Sequence, residues 1–306
     1  MIDDTKVNPM TSTPQKILVI GGSGFLGSHV ADQLSNLGHK VTIYDKTHSS
    51  FLRDDQNMIT GDLSYEQLNV AMKDIDIVFH FAAMADIKES NDNPYACIQA
   101  NILGATNVFE AIKNNKISKL LYASTMYVYS DKGGFYRATK QATETVLKAY
   151  SERYNLPFTI LRYGSLYGPR SQSWNGLNRY ITEIIETGRI EYKGNGQERR
   201  EYIHIVDAAR MTARAIDPKY DNKSLLITGQ QSLASKQILE LIFEILGKEQ
   251  DIQYNNDDLD KSHYRLTPYR YQPDLAVKLN PDHFIDFGQG IIELIENINS
   301  SDDDNS

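Results

Sequence analysis

The chain reads as an α/β protein: a doubly wound parallel sheet with a smaller C-terminal lobe. Three observations predict this. Short apolar runs alternate with helical periodicities through the first half, the rhythm of βαβ units with right-handed crossovers. A glycine-rich turn, Gly21-Gly22-Ser23-Gly24-Phe25-Leu26-Gly27, separates the first apolar run from the first helical pattern. After Gly168-Pro169 the rhythm breaks into shorter pieces, richer in aromatics and arginines.

Ile17-Leu18-Val19-Ile20 is the first strand, and Val30, Leu34 and Leu37 mark the apolar face of the following helix, closed at Gly38. Val41-Thr42-Ile43-Tyr44 is the second strand. Met58-Ile59-Thr60 is the third and leads into Gly61-Asp62-Leu63, with Ser64 and Gln67 spaced as a capping box for the next helix. Residues 75–81 are almost wholly apolar, as a strand covered on both faces requires. A long helix is expected over 94–113, a buried strand over 120–123, a helix over 136–154 and a strand over 158–161. Beyond 168 the pattern predicts a helix over 177–186 and strand-like pieces at 190–192, 202–205 and 225–227. Ser235 is expected to cap an amphipathic helix carrying Ile238, Leu239, Ile242 and Leu246, closed by Gly247. The resulting division is a loose lead-in over 1–14, a sheet domain over 15–168, a mainly substrate-binding lobe over 169–298, and an acidic tail over 299–306.

Composition narrows the function classes. With 306 residues, 41% hydrophobic and 24% charged, the chain has the make-up of an ordinary globular protein. Its apolar stretches fall well short of the roughly 18 residues that suggest a membrane span. Residues 1–14 lack the apolar core of a signal peptide, and the lone Cys97 offers no internal disulfide, so a reducing cytoplasm is expected. Cys97 sits within a helical pattern and reads as a small buried residue. A net charge of −8 without a dense basic run argues against nucleic acid as the main partner. No metal-ligating cluster is read.

Two motifs carry chemistry. The glycine turn sits between strand and helix, the context of a Rossmann-type dinucleotide fingerprint, where glycines let the backbone approach a pyrophosphate held by helix N-terminal amides. Asp45 stands at the end of the second strand, where a carboxylate accepts from ribose hydroxyls of NAD and repels the 2′-phosphate of NADP; NAD is the expected cofactor. The second motif is Tyr136-Arg137-Ala138-Thr139-Lys140. Tyrosine and lysine four apart share one helix face, and the ammonium favours the phenolate of a group whose reference pKa is ~10. Together they predict redox chemistry at an alcohol or ketone carbon.

The chain resembles an extended short-chain dehydrogenase/reductase of the NAD-dependent epimerase/dehydratase group over roughly residues 16–298. The resemblance is carried by the glycine turn, Gly61-Asp62-Leu63, His80-Phe81-Ala82-Ala83, Asn93-Pro94-Tyr95 with Asn101, and Tyr122-Ala123-Ser124-Thr125. It continues through the Tyr–Lys motif, Leu161-Arg162-Tyr163-Gly164-Ser165, and Gly194-Asn195-Gly196 with Arg200-Glu201-Tyr202. It implies Thr125, Tyr136 and Lys140 as catalytic residues. It implies cofactor contacts at Gly21, Gly24, Phe25, Leu26, Gly27, Asp45, Asp62, Leu63, Phe81, Ala82, Ala83, Asn101, Ser124, Tyr136, Lys140 and Tyr163. Substrate contacts are implied at Thr125, Asn175, Tyr192, Arg200 and Arg265, with Arg200 gripping a diphosphate and Arg265 or Arg270 offering a second phosphate contact. Tyr192 reads equally as base-packing or core.

The resemblance further implies a nucleotide-diphosphate-sugar substrate and a homodimer. Relatives that eliminate water carry an Asp-Glu pair directly after the threonine, and related decarboxylases a nearby glutamate. Here Met126 and Tyr127 occupy those positions, which leaves hydride removal and return at sugar C4: epimerisation. A dehydratase or net oxidoreductase is the alternative enzyme, and a non-catalytic NAD-sensing protein the alternative of another class. Two departures stand out. Only Ser130 to Phe135 separate Tyr129 from Tyr136, so the sugar pocket is either more open or closed by another segment. Ser165 also replaces a common asparagine, which points to an unusual sugar.

Overall fold

The apolar runs fold as a seven-stranded parallel sheet whose inner strands are buried on both faces by the helices between them, while the two edge strands are largely exposed. The computed structural model describes residues 13–255. The first half runs β1 (Lys16–Ile20), α1 (Phe25–Asn36), β2 (Lys40–Asp45), β3 (Gln56–Thr60), α2 (Tyr65–Ala71) and β4 (Ile77–His80). It continues through α3 (Ile87–Asp92), α4 (Pro94–Ile98), a π turn (Gln99–Leu103) and α5 (Gly104–Asn115) to β5 (Lys119–Thr125). A 3₁₀ turn (Met126–Tyr129) then leads to α6 (Gly134–Tyr154) and β6 (Phe158–Tyr163). The remainder comprises β7 (Ser165–Tyr167), α7 (Gly176–Thr187), β8 (Ile190–Lys193), β9 (Arg199–His204), α8 (Ile205–Arg214), β10 (Lys223–Ile227), β11 (Ser232–Ala234), α9 (Ser235–Leu246) and β12 (Ile252–Asn255).

The sheet order is β10-β6-β5-β4-β1-β2-β3. Strand order reverses between β1 and β4, so the strand ends there diverge and leave the crevice in which doubly wound folds bind ligands. One face packs Val30, Ala31 and Leu34 of α1 with Ala208, Ala209 and Ala213 of α8. The other packs Val108, Phe109 and Ile112 of α5 with Leu147 of α6. A third cluster, Ile184, Ile190, Tyr192, Leu239 and Phe243, is the core of the lobe. That lobe adds the small sheets β11-β9-β7 and β12-β8. Among the described residues no helix is long and apolar enough to cross a membrane.

Several local expectations are corrected. The division at residue 168 is crossed, because β10 returns to pair with β6 and α8 covers the sheet. Lys119 secures that return: its buried ammonium donates to the carbonyls of Ala215 at 2.9 Å and of Ile216 and Asp217 at 3.2 Å, and pairs with Asp221. The helix expected over 94–113 is interrupted by the π turn, which widens the coil by one residue and swings Asn101 inward. The box at Ser64 does not form: Gln67 reaches past it to the Asp62 amide at 3.0 Å, and Asp62 takes the Ser64 amide at 2.8 Å. Ala234, not Ser235, is the N-cap of α9, its amide held by Gln237 at 2.9 Å. The Ser235 hydroxyl instead serves the Glu198 carbonyl at 3.1 Å.

Candidate active site

At the C-terminal ends of β1, β4, β5 and β6 lies a cleft of about 1990 Å³, roughly twice the ~1,000 Å³ upper end of a single small-ligand pocket. It has room for two large ligands side by side. Its first wall is the glycine turn. Gly21 has φ +81°, and a Cβ there would lie 2.4 Å from the Ala82 amide nitrogen. A Cβ on Gly27 would lie 2.2 Å from the Gly21 carbonyl oxygen. The turn is therefore packed backbone to backbone, against the segment that follows β4 on one side and α1 on the other. α1 carries no side-chain cap, so its first amides at Phe25, Leu26 and Gly27 stand at the cleft as anion donors.

Asp45 closes this wall. Its carboxylate accepts from the Ser23 amide at 3.1 Å and from the Thr47 amide and hydroxyl at 3.2 and 3.3 Å. The acid is thus tied to the glycine turn before any ligand arrives. Asp62 and Leu63 follow, fixed by Tyr44, whose hydroxyl donates to the Asp62 carbonyl at 2.6 Å, and by Asn107, which donates to the Leu63 carbonyl at 2.8 Å. Phe81, Ala82 and Ala83 continue the wall from β4. A glycine cradle with no room for a side chain, beside a pre-oriented carboxylate, fits a dinucleotide with a free ribose diol. Asp45→Ala is expected to weaken NAD about 10- to 100-fold, the worth of a charge-assisted hydrogen bond of ~1.5–3 kcal/mol, in a calorimetric titration. Tighter binding of NADP than of NAD by the native protein would overturn the assignment.

Opposite stands the Tyr–Lys pair. Lys140 is 3% exposed; its Nζ donates to the Ala123 carbonyl at 2.8 Å and lies 4.8 Å from the Tyr122 ring centroid and 6.0 Å from that of Tyr136. Burial pushes its pKa down to about 8, with Glu144 opposing the shift. Tyr136 is half-buried and meets Tyr127 edge-on, centroids 6.3 Å apart. The Thr125 hydroxyl accepts from the Tyr127 amide at 3.2 Å and so caps the 3₁₀ turn. Ser124, Thr125, Tyr136 and Lys140 all line the cleft.

The shortened link before Tyr136 is closed by α3. Gly133 and Gly134 take φ of +96° and +49°, and Asn91 of α3 accepts from the Phe135 amide at 3.1 Å. A Cβ on Gly134 would meet the Asn91 oxygen at 2.1 Å. The cleft wall beside Tyr136 is accordingly formed by Asp86, Ile87, Lys88 and Glu89 together with Lys132.

One implied contact is placed differently. Asn101 is 2% exposed and lies outside the lining; its amide nitrogen donates to the Met84 carbonyl and the Thr139 hydroxyl, both at 3.0 Å, while its oxygen accepts from the Met84 amide at 2.8 Å. It ties the loop after β4 to α6. Tyr163 presents its ring to the cleft, but its hydroxyl pairs with Thr212 of α8 at 2.7 Å. Tyr192 is 4% exposed, wedged edge-on between Tyr180 and Tyr254, with its hydroxyl 2.7 Å from that of Ser235; it belongs to the core of the lobe and to the cleft lining at once. Arg200 and Asn175 line the lobe side of the cleft, whereas Arg199 turns away to the Ser232 carbonyl. Arg265 and Arg270 lie outside the described residues.

Sequence reasoning missed α3, Lys132, Trp174 and Arg179, which also line the cleft, and Glu144, which lies behind it. Only Glu144 left a signal, one helical turn beyond Lys140.

A dinucleotide cradle facing a buried lysine, a tyrosine and a threonine across one cleft defines an enzyme that moves a hydride at a hydroxyl-bearing carbon. Residues 17–227 match the NAD dependent epimerase/dehydratase family, and the chain belongs to it. It is 25% identical over 320 residues to a UDP-glucuronate 4-epimerase of Thermodesulfobacterium geofontis, covering 92% of this chain and 98% of that protein. It is 27% identical over 260 residues to a UDP-N-acetyl-alpha-D-glucosaminuronate decarboxylase of Bacillus cytotoxicus, covering 76% of this chain and 80% of that protein. Among solved structures it is similar to the UDP-glucuronic acid 4-epimerase of Bacillus cereus in complex with UDP-glucuronic acid and NAD. That likeness has a TM-score of 0.76 at 25% identity, over 85% of this chain and 95% of that one.

Proposed function

We propose that this chain is an NAD-dependent nucleotide-sugar epimerase acting at sugar C4. The observation that carries the reading is that Tyr136, Lys140 and Thr125 share one cleft with the glycine turn and Asp45, with volume for cofactor and nucleotide sugar together. Bound NAD would supply reversible acceptance of the C4 hydride. Tyr136 takes the proton of the 4-hydroxyl, and Thr125 passes it between substrate oxygen and phenol. Lys140 supports the phenolate as a nearby cation. Arg200 and Arg179, with the uncapped N-terminus of α7 at Asn175, offer the diphosphate its donors.

Met126 is buried, and Tyr127 carries no carboxyl group. Asp86 is spent as the N-cap of α3, accepting from Lys88 and Glu89 amides at 2.7 and 3.1 Å. A second reading, elimination of water, rests on Glu89, a carboxylate brought to the cleft wall from α3. Incubation of the NAD-loaded protein with UDP-glucuronate, UDP-N-acetylglucosamine and UDP-glucose decides between them. Inversion at C4 by NMR at unchanged product mass is expected. A product lighter by one water supports elimination, lasting NADH supports a net oxidoreductase, and no conversion of these three or of any other nucleotide sugar in a wider panel overturns the epimerase. The reading includes a homodimer, supported by the exposed Tyr95, Ile98, Leu103 and Phe135 along α4, the π turn and α6. Light scattering should return the mass of two chains.

A further inference from the structure

Helix α6 grips β5 at two successive residues. Lys140 takes the Ala123 carbonyl at 2.8 Å, and one turn later Glu144 accepts the Ser124 hydroxyl at 2.6 Å. Glu144 is 5% exposed, and its charge is met from β6. Arg162 Nε donates to Oε1 at 3.0 Å and a second guanidinium nitrogen donates to Oε2. Arg162 also donates to the Tyr129 hydroxyl, its guanidinium 4.7 Å from that ring's centroid. The network brackets Thr125: Ser124 precedes it, and Tyr129 ends the turn that follows.

Stability alone does not call for this arrangement, because a buried ion pair replaced by apolar residues of similar volume is often neutral or stabilising. Its position is what matters. The groups facing Lys140 are the Ala123 carbonyl and Tyr122 ring from β5, His80 from β4, Cys97 from α4, and Tyr136 and Glu144 from α6. His80 is held neutral by burial, its pKa pushed down to about 3. Glu144 supplies the carboxylate of the group.

We propose that Glu144 is a positioning residue: anchored on Arg162, its carboxylate holds Ser124 against α6 and so sets the strand end that carries Thr125 beside Lys140 and Tyr136. This rests on the reading of Tyr136 and Lys140 as the acid/base pair. Removing the carboxylate removes what opposes the burial penalty on Lys140, so the lysine is neutral over more of the working pH range and the phenolate loses its cation.

The test uses Glu144→Leu/Arg162→Met, which deletes both charges at similar volume, with melting curves to establish that it folds. The chain has 19 tyrosines. Ionisation of Tyr136 is therefore read as the tyrosinate absorbance of each protein minus that of the same protein carrying Tyr136→Phe. In the double variant the Tyr136 step is expected to move up by about one pH unit. Its kcat is expected to fall about 10- to 100-fold with KM within about threefold. A folded double variant whose Tyr136 step and kcat match the native protein would make the pair merely structural and overturn the proposal. If the double variant does not fold, Glu144→Gln, which keeps an acceptor for Ser124 but no charge, must move the step the same way, and an unmoved step overturns the proposal equally. Should the native protein convert no nucleotide sugar while the step still follows Glu144, the epimerase reading falls and the positioning role stands.

Discussion

Tyr136→Phe is expected to lower kcat by about 10²- to 10⁴-fold, the contribution of general acid–base catalysis, equivalent to roughly 3–5 kcal/mol in the barrier. NAD affinity and the melting temperature should barely change. The ring is half-buried and meets Tyr127 edge-on, and phenylalanine preserves both the volume and that contact. What is lost is the oxygen proposed to exchange a proton with the sugar hydroxyl. The measurement is steady-state turnover of whichever nucleotide sugar the native protein converts, alongside a direct NAD titration. Turnover within a few fold of native would show that the short link of Ser130 to Phe135 has passed the role to another residue. Tyr127, centroid 6.3 Å away and itself on the cleft wall, would be the next to replace.

Gly27→Ala should have the largest effect on the cofactor side. Its new methyl carbon would lie 2.2 Å from the Gly21 carbonyl oxygen and 2.8 Å from Gly22 Cα. Both are backbone atoms, and Gly21 is itself pressed against Ala82, so none can yield without moving α1 from the turn. Overpacking of this kind costs about 1–3 kcal/mol of stability, and the shift misplaces the amides proposed to receive the pyrophosphate. NAD affinity is expected to fall by at least ~100-fold, read by calorimetry, with a lowered melting temperature. Gly24→Ala is the matched control for the melting temperature, since its added carbon would find only the Gly21 oxygen at 3.4 Å, an ordinary contact. A native-like NAD affinity in Gly27→Ala would overturn the packing argument.

Much of this molecule is determined by its sequence alone. The alternation of apolar runs and helical periodicity predicts the parallel sheet, because burial on both faces of a strand and one face of a helix is a local property of composition. The glycine turn, Asp45 and the Tyr136–Lys140 spacing are equally local: turn chemistry and one helical turn set their geometry whatever surrounds them. Only the tertiary structure decided the rest. Asn101 left the cofactor wall because a π turn rotated it onto Met84 and Thr139, and no residue in 94–113 signals where that turn falls. Tyr192 became core because Tyr180, Tyr254 and Ser235 arrive from three other segments. α3 walls the cleft beside Tyr136 because Asn91 meets the start of α6. β10 rejoined the sheet because Lys119 holds the end of α8 from 96 residues away. The partners of a buried polar group are chosen by which distant atoms the fold brings within 3 Å or so, and the pattern around the residue itself carries no trace of that choice.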